Sequence, residues 1–335
     1  MLNKQYNALI VSLFVIMLLV IIISMNTGKF SISPERLFDT ITKVVHGAPI
    51  NLQDNDVNVF WEIRLPRILA ALFVSAALSL AGIAYQGLFL NPMVSPDILG
   101  GSAGAGFGAA IAILLSGNIF VMEISGFILS VIAVSISYLL YVTIDKRKNT
   151  VLILVLTGII VQSIFVALTT IIKYIANPED KLPAITFWLL GGLNTISWTE
   201  VIMMGTVLVI CSIPLFLIRY RINTLSFGSE EAQSMGVNIK MLRLIILVCA
   251  TLLTAASVSV SGMVGWVGLV IPHISRFIAG TDYRKSIPVS FLIGAVFLLL
   301  MDDIARSLLT IEIPLGILTA IIGAPFFIFL LLRKV

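Results

Sequence analysis

The strongest constraint on this chain is the recurrence of apolar runs as long as a bilayer is thick. The first, Ala8 to Met25, carries no charged residue. Nine more follow at roughly 68–90, 100–115, 120–144, 151–175, 200–218, 244–261, 265–278, 287–305 and 315–332. A helix crossing the hydrocarbon core needs about 20 apolar residues. Backbone polar groups in lipid must be satisfied internally, and no alternating strand pattern is present, so the expected fold class is an all-α polytopic membrane protein of about ten spans. With 59% hydrophobic and 11% charged residues, the composition excludes a water-soluble domain, where about a quarter of residues are charged. Residues 1–335 read as a single transmembrane domain.

Ten spans put both termini on one side. That side would hold Lys4, Lys146, Arg147, Lys148, Arg219, Arg221, Lys240, Arg243, Arg276, Arg284, Lys285, Arg333 and Lys334 but only the acids Asp97, Asp145, Glu230, Glu231 and Asp282. By the positive-inside rule it is cytoplasmic. The same clustering beside spans accounts for a pI of about 9.1 without nucleic acid. The first run follows one lysine, exceeds a signal h-region and lacks a small-x-small cleavage site before Thr27, so it is expected to remain as a helix. Cys211 and Cys249 lie in apolar runs without metal-type spacing and read as small core residues. The long outer loops are 26–67, where Ser33, Pro34 and Glu35 mark the start of a short surface helix, and 176–200.

The polar insert Leu225 to Arg243 must lie outside the membrane. Ser226 or Ser229 could cap a first short helix, Gly236 would end it, and Asn238 could cap a second that runs into the next span. A plain solvated loop is the competing reading. Gly100, Gly104 and Gly108 fall on one helix face and suit close packing, and no GK[ST] follows to make a phosphate loop. Gly262, Gly265 and Gly268 before Pro272 suggest a broken, short eighth span, tolerated only where protein or a water-filled cavity shields the backbone.

Gly158, Gln162, Thr169 and Lys173 form a polar stripe along helix 5, which either bonds a neighbouring helix or faces a passage; Gln86 poses the same choice. Asp302 and Asp303 stand four and three residues before Arg306, at spacing for an internal ion pair, with docking or transport as the alternative. His273 and His46 each stand alone and make no metal site. Walker A, nucleophile-elbow and HExxH patterns are absent, so no catalytic, cofactor or metal residue is assigned.

IRLPR (63–67), QGLFLNPMVSPDILG (86–100), LSFGSEEAQSMGV (225–237), VGLVIPHISRFIAGTDYRKSIP (267–288), DDIAR (302–306) and IPLGILTAIIGAPFFIFLLL (313–332) resemble permeases of type II ABC importers for iron–siderophore complexes, haem and cobalamin. The resemblance runs from about Ser33 to the C-terminus. It implies a pair of ten-helix subunits, most simply a homodimer, in a bacterial or archaeal inner membrane. Two separate ABC ATPases that use ATP and Mg, and an extracytoplasmic substrate-binding protein, complete the assembly. Within the insert, Ser226, Gly228, Glu230, Glu231, Ala232, Met235, Gly236 and Val237 match the coupling helices that engage the ATPase. Arg64, Arg67 and Arg306 match outward-facing arginines that dock the binding protein. Helix 5 matches the path-lining helix, with Thr150, Val151 and Leu152 as gate candidates. A ferric siderophore is the expected cargo, with haem, cobalamin or molybdate as alternatives within the family. From another class, an ion-coupled secondary transporter with an Asp302/Asp303 relay competes; a membrane-embedded enzyme lacks a reactive constellation.

Overall fold

The computed structural model describes residues 2–28, 30, 34–45, 54–144 and 151–332, and no strand occurs among them. The helix α4 (Leu65–Phe89) is the axis around which the rest is wound. Its sequence is apolar on every side and rich in Ala, Ser and Gly, which is the pattern of a helix that neighbours must enclose completely. It is preceded by α3 (Asn55–Asn58) and a π-helical turn (Val59–Arg64), so the continuous helical segment Asn55–Phe89 starts well before the expected span. Around it pack α9 (Trp198–Leu225), α11 (Ile239–Ser261), α12 (Val267–Ala279) and α13 (Tyr283–Ser307). The approach is close because side chains are missing or small at the crossings. A Cβ on Gly82 would lie 1.9 Å from the Gly268 carbonyl oxygen, and Ser79 Oγ bonds the Ser290 carbonyl at 2.8 Å.

A second group leans on this core. α5 (Gly101–Leu115) and α6 (Ile119–Ile144) pack through Gly104 and Gly108, where a Cβ would meet the carbonyls of Leu129 and Ser125 at 2.4 and 2.3 Å. Gly100 is not part of that face. It sits in the left-handed region (φ 83°) between a 3-10 turn (Pro96–Leu99) and α5. α7 (Val151–Ile175) lies against α5, α6 and the 3-10 turn. On the other flank α1 (Leu2–Asn26) touches mainly α13, and the short α2 (Pro34–Val45) is the expected surface helix; Ser33, read with Pro34 and Glu35 as marking its start, lies outside the described residues.

All ten expected spans are helical. Among the described residues seven helices are long and apolar enough to cross a membrane, and α5, α12 and α14 (Leu315–Leu332) are among the shorter apolar ones. A further element, α8 (Lys181–Leu190), falls in a segment read as an outer loop. From its Asp180 cap it carries KLPAITFWLL to the break between α11 and α12. The Gly192 N–H donates to the Ser261 carbonyl at 2.8 Å, and the Leu315 N–H donates to the Gly191 carbonyl at 3.0 Å. Four helix ends therefore meet there, as the glycine pattern before Pro272 suggested for one of them. The turn is paid for by Gly262 (φ 66°) and Trp266 (φ 69°), and a Cβ on Gly262 would stand 2.4 Å from the Trp188 carbonyl.

Gly82→Ala is expected to destabilise the chain by about 1–3 kcal/mol, because its helical backbone tolerates alanine and only the α12 contact suffers. Gly265→Ala, with nothing within 4 Å of its Cβ position, is expected to leave the melting temperature unchanged. Thermal unfolding in detergent distinguishes the two.

Candidate functional site

At the end of the bundle where α1 and α13 finish and α4 begins, six charged side chains converge among the described residues. Arg67 is the hub. Its Nε and Nη2 donate to both Asp302 oxygens at 2.8–3.1 Å, while Nη1 and Nη2 reach Glu312 at 3.2 and 3.0 Å. Asp302 has no exposed side-chain surface, whereas Glu312, in the loop after α13, retains 34%. Arg306 pairs with Asp303 three residues earlier and donates to the Ser24 carbonyl at 2.9 Å, and Ser24 Oγ donates to Asp303 at 2.7 Å. Arg64 donates to the carbonyls of Met25 and Phe30. Three arginines thus stand with three carboxylates, α1 is tied to α13, and α4 is tied to both α13 and the following loop.

This corrects the expected exposure of the docking arginines. Arg64, Arg67 and Arg306 are 3%, 8% and 5% exposed, because each guanidinium is turned inward onto a carboxylate or helix-terminal carbonyl. The internal Asp302/Asp303–Arg306 pairing that the spacing allowed is present. What reaches outward beside it is an apolar loop, with Leu308, Leu309 and Ile311 at 63%, 57% and 80% exposure.

The opposite end carries the polar insert. It forms α10 (Ser229–Ser234), which begins after Gly228 (φ 101°). Neither serine caps it. Ser226 instead closes α9, its Oγ donating to the Asn223 carbonyl at 2.6 Å, and Ser229 is already inside the helix. Gly236 ends α10 as expected, at φ 80°. The Gly236 and Val237 N–H groups donate to Gln233 and Ala232 at 3.0 and 3.1 Å, the two bonds of a Schellman ending. Asn238 then caps α11 by accepting from the Met241 N–H at 3.1 Å. The end of α9 is fastened by Asn223, which donates to Asp282 at 2.8 Å and accepts the Tyr283 N–H at 3.0 Å. The Arg284 contact and hydrogen bonds from the Arg284 backbone and Asn223 hold the Asp282 carboxylate down to about 2, so the fastening stays charged at neutral pH.

Ala232 is fully buried under this turn, whereas Phe227 and Met235, both 62% exposed, project with Glu231 around a shallow hollow. Glu230 lies in α10. Apolar knobs beside a carboxylate, on a turn bonded at both ends, suit docking to another protein rather than catalysis.

Two residues of the polar stripe on α7, Gly158 and Thr169, are packed within this chain. A Cβ on Gly158 would lie 2.2 Å from the Ile98 carbonyl, so α7 rests directly on the 3-10 turn there. Thr169 is buried and bonds its own helix at the Phe165 carbonyl, 2.8 Å away. Gln162 and Lys173 are half-buried, and the exposed face of α7 is aliphatic at Leu152, Leu156, Ile159 and Ile160. Of the gate candidates, Thr150 lies outside the described residues, Val151 begins α7 and Leu152 is 62% exposed. Gln86 pins the turn after α4 by donating to the Val94 carbonyl at 3.1 Å, and His273 Nε2 lies 3.0 Å from the Pro92 carbonyl. His46 lies outside the described residues. Among the described residues no group of three His, Cys, Asp or Glu is arranged to hold a metal.

Asp302→Asn is expected to cost about 3–5 kcal/mol, since it leaves the buried Arg67 with Glu312 as its remaining carboxylate and removes the charge facing Arg306. Arg67→Met combined with Asp302→Leu should recover much of that loss, because Glu312 can turn to water. Unfolding in detergent, read as melting temperature and folded yield, checks both.

The model of the FecCD transport family matches residues 16–333. The molybdate import system permease MolB of Haemophilus influenzae is 34% identical over 323 residues, 96% of this chain and 95% of that protein. A Helicobacter pylori protein assigned as an iron chelatin transport system permease is 42% identical over 277 residues, 82% of each chain. A solved ABC transporter assigned to the metal-chelate type, in an inward-facing conformation, superposes with a TM-score of 0.86 at 34% identity, over 98% of this chain and 99% of its own. The ten-span bundle, its bonded polar turn and these matches over nearly the whole length lead to one conclusion: the chain belongs to the FecCD transport family and is a multi-pass ABC transporter permease.

Proposed function

We propose that this permease forms, with a second copy of itself, the path by which a ferric siderophore enters the cell, driven by two separate ATPase subunits that use ATP and Mg. The observation that carries the reading is the α10 turn. It protrudes from the bundle with Phe227 and Met235 exposed, yet it is fixed to α9, α11 and, through Asn223, to α13. A push on this turn is therefore a push on three helices that pack against α4 or against each other. The basic residues at this end support a cytoplasmic side for it and for both termini, with the path crossing the inner membrane of a bacterial or archaeal cell. The ATPases close, α10 follows, and the two copies of α7 alternate between outward and inward openings. The chain itself binds no cofactor.

The substrate-binding protein docks at the other end. The apolar loop at Leu308, Leu309 and Ile311 supplies the first contact; Arg67 becomes available to its carboxylates once the Glu312 contact opens, and Arg64 and Arg306 once they leave the Met25 and Phe30 carbonyls and Asp303. Haem, cobalamin or molybdate is the alternative cargo, and the Haemophilus influenzae molybdate permease, matched over 96% of this chain, is the observation that keeps molybdate in view. The ion-coupled alternative is disfavoured because Asp302 and Asp303 are engaged with Arg67 and Arg306.

Reconstituted with its ATPase and binding protein, the permease should take up labelled ferric siderophore with saturation, only with hydrolysable ATP and only with the binding protein. Uptake that survives a hydrolysis-dead ATPase and collapses with the proton gradient would falsify the importer reading; selective uptake of molybdate, haem or cobalamin would change the cargo alone. Phe227→Ser with Met235→Ser removes two exposed apolar contacts of roughly 1.5–3 kcal/mol each. Uptake is then expected to fall at least tenfold while the isolated ATPase continues to hydrolyse ATP.

A further inference from the structure

Residues 262–266, between α11 and α12, leave backbone donors unpaired inside the membrane. α12 has 13 residues, about 20 Å of helix, whereas the hydrocarbon core is about 30 Å thick. Its far end, Ala279, precedes Asp282, which is fastened to Asn223 at the α10 end, so its start falls within the core. The N–H groups of Met263, Val264, Gly265 and Trp266 donate to no backbone carbonyl among the described residues. Met263, Gly265 and Trp266 are only half-buried, and a Cβ on Gly265 would meet nothing within 4 Å.

Free donors at this depth narrow what the stretch faces, because unwound backbone in a membrane is tolerated against protein or water and not against lipid. It opens on the flank of α7, and α8 bridges the two: Ile185 of α8 packs with Ala176, just past the end of α7, and Gly192, just past the end of α8, bonds Ser261. Trp266 adds a fixed aromatic surface. Its φ of 69° is unfavourable for a bulky residue, and such a conformation persists only where the surroundings enforce it. The enforcement comes from α14. A Cβ on Gly323 would stand 2.7 Å from Trp266 Cγ, and the Phe327 ring meets the indole at 63° with centroids 6.4 Å apart.

We infer that residues 262–266 form part of the wall of the transport passage and that Trp266 is the surface over which a ring-bearing metal chelate moves. The inference rests on the importer reading for the existence of the passage, and it adds the class of cargo. Uncharged N–H donors suit the acceptor oxygens at the rim of a chelate, and a fixed indole suits aromatic or flat apolar groups. A bare oxyanion such as molybdate has acceptors for the donors but nothing for the ring. Contacts of this uncharged kind hold cargo weakly enough for it to leave as readily as it enters.

The test uses the permease reconstituted in liposomes with its ATPase and binding protein. Gly265→Cys is treated with 2-(trimethylammonium)ethyl methanethiosulfonate, a charged reagent confined to water, beside the unaltered chain, whose Cys211 and Cys249 are buried, and beside Leu19→Cys on the bare face of α1. Modification of Gly265→Cys alone is expected. Uptake is then measured with a ferric tris-catecholate, a ferric tris-hydroxamate, haem, cobalamin and molybdate. Trp266→Ala should lower uptake of the transported chelate about fivefold, with melting temperature and Gly265→Cys labelling unchanged, whereas Trp266→Phe should keep most of it. No modification of Gly265→Cys, or equal modification of Leu19→Cys, would overturn the wall. Equal losses in Trp266→Ala and Trp266→Phe, or uptake of molybdate alone, would overturn the cargo class. Modification without uptake of any of these compounds upholds the wall and sinks the importer reading, and the cargo class with it.

Discussion

The bundle depends on a few backbone hydrogen bonds where no helix can supply them. Inside a membrane protein a free N–H or C=O has no water to turn to, so a broken helix survives only if another chain segment completes it. Gly191 and Gly192 do this for three elements at once. The Ser261 carbonyl, at the C-terminus of α11, receives the Gly192 N–H, and the N–H of Leu315, which opens α14, goes to the Gly191 carbonyl. Glycine is required at position 191, where φ is 73° and a Cβ would stand 3.0 Å from the Met263 carbonyl, and at position 316, where it would stand 2.5 Å from the Leu190 carbonyl. The short helices α8, α12 and α14 are possible only as a set, each shielding the ends of the others.

The two ends of the molecule solve different problems with the same economy. The charged cluster brings six ionic groups into a low-dielectric place and holds them by mutual pairing, which fixes the relative register of α1, α4 and α13. The α10 end uses neutral backbone geometry instead: a Schellman ending, an asparagine cap and one Asn–Asp fastening. The first is rigid because separation would expose charge. The second is rigid within itself and rests mainly on α9 and α11 among the described spans, so it can move with them as a unit.

Most of the architecture was legible because span formation is a local property: ten apolar runs became helices, and Asn238 and Gly236 act as the caps and stops their chemistry suggests. The failures share a cause, which is dependence on partners far away in sequence. Nothing near Arg67 announces Glu312, 245 residues on, so the arginines were read as exposed. On the polar stripe of α7, Gly158 rests on the Ile98 carbonyl, a contact that the spacing of the stripe does not reveal. The apolar stretch from Lys181 to Leu190 was the one overlooked signal. It is followed by Gly191 and Gly192, but at ten residues it is too short to register as a span.

The attachment of α1 has a bearing on how the chain is made. Its long apolar surface is mostly bare, and its polar anchorage at Ser24 reaches Asp303 and Arg306, 279 and 282 residues later. At ribosomal speeds of about 5–20 residues per second, that interval lasts roughly 14–56 seconds. α1 is therefore made long before the residues that seat it, and until then it must be stable in lipid through its own hydrophobicity. Its unusually oily sequence, without a charge from Gln5 to Gly28, equips it for that delay.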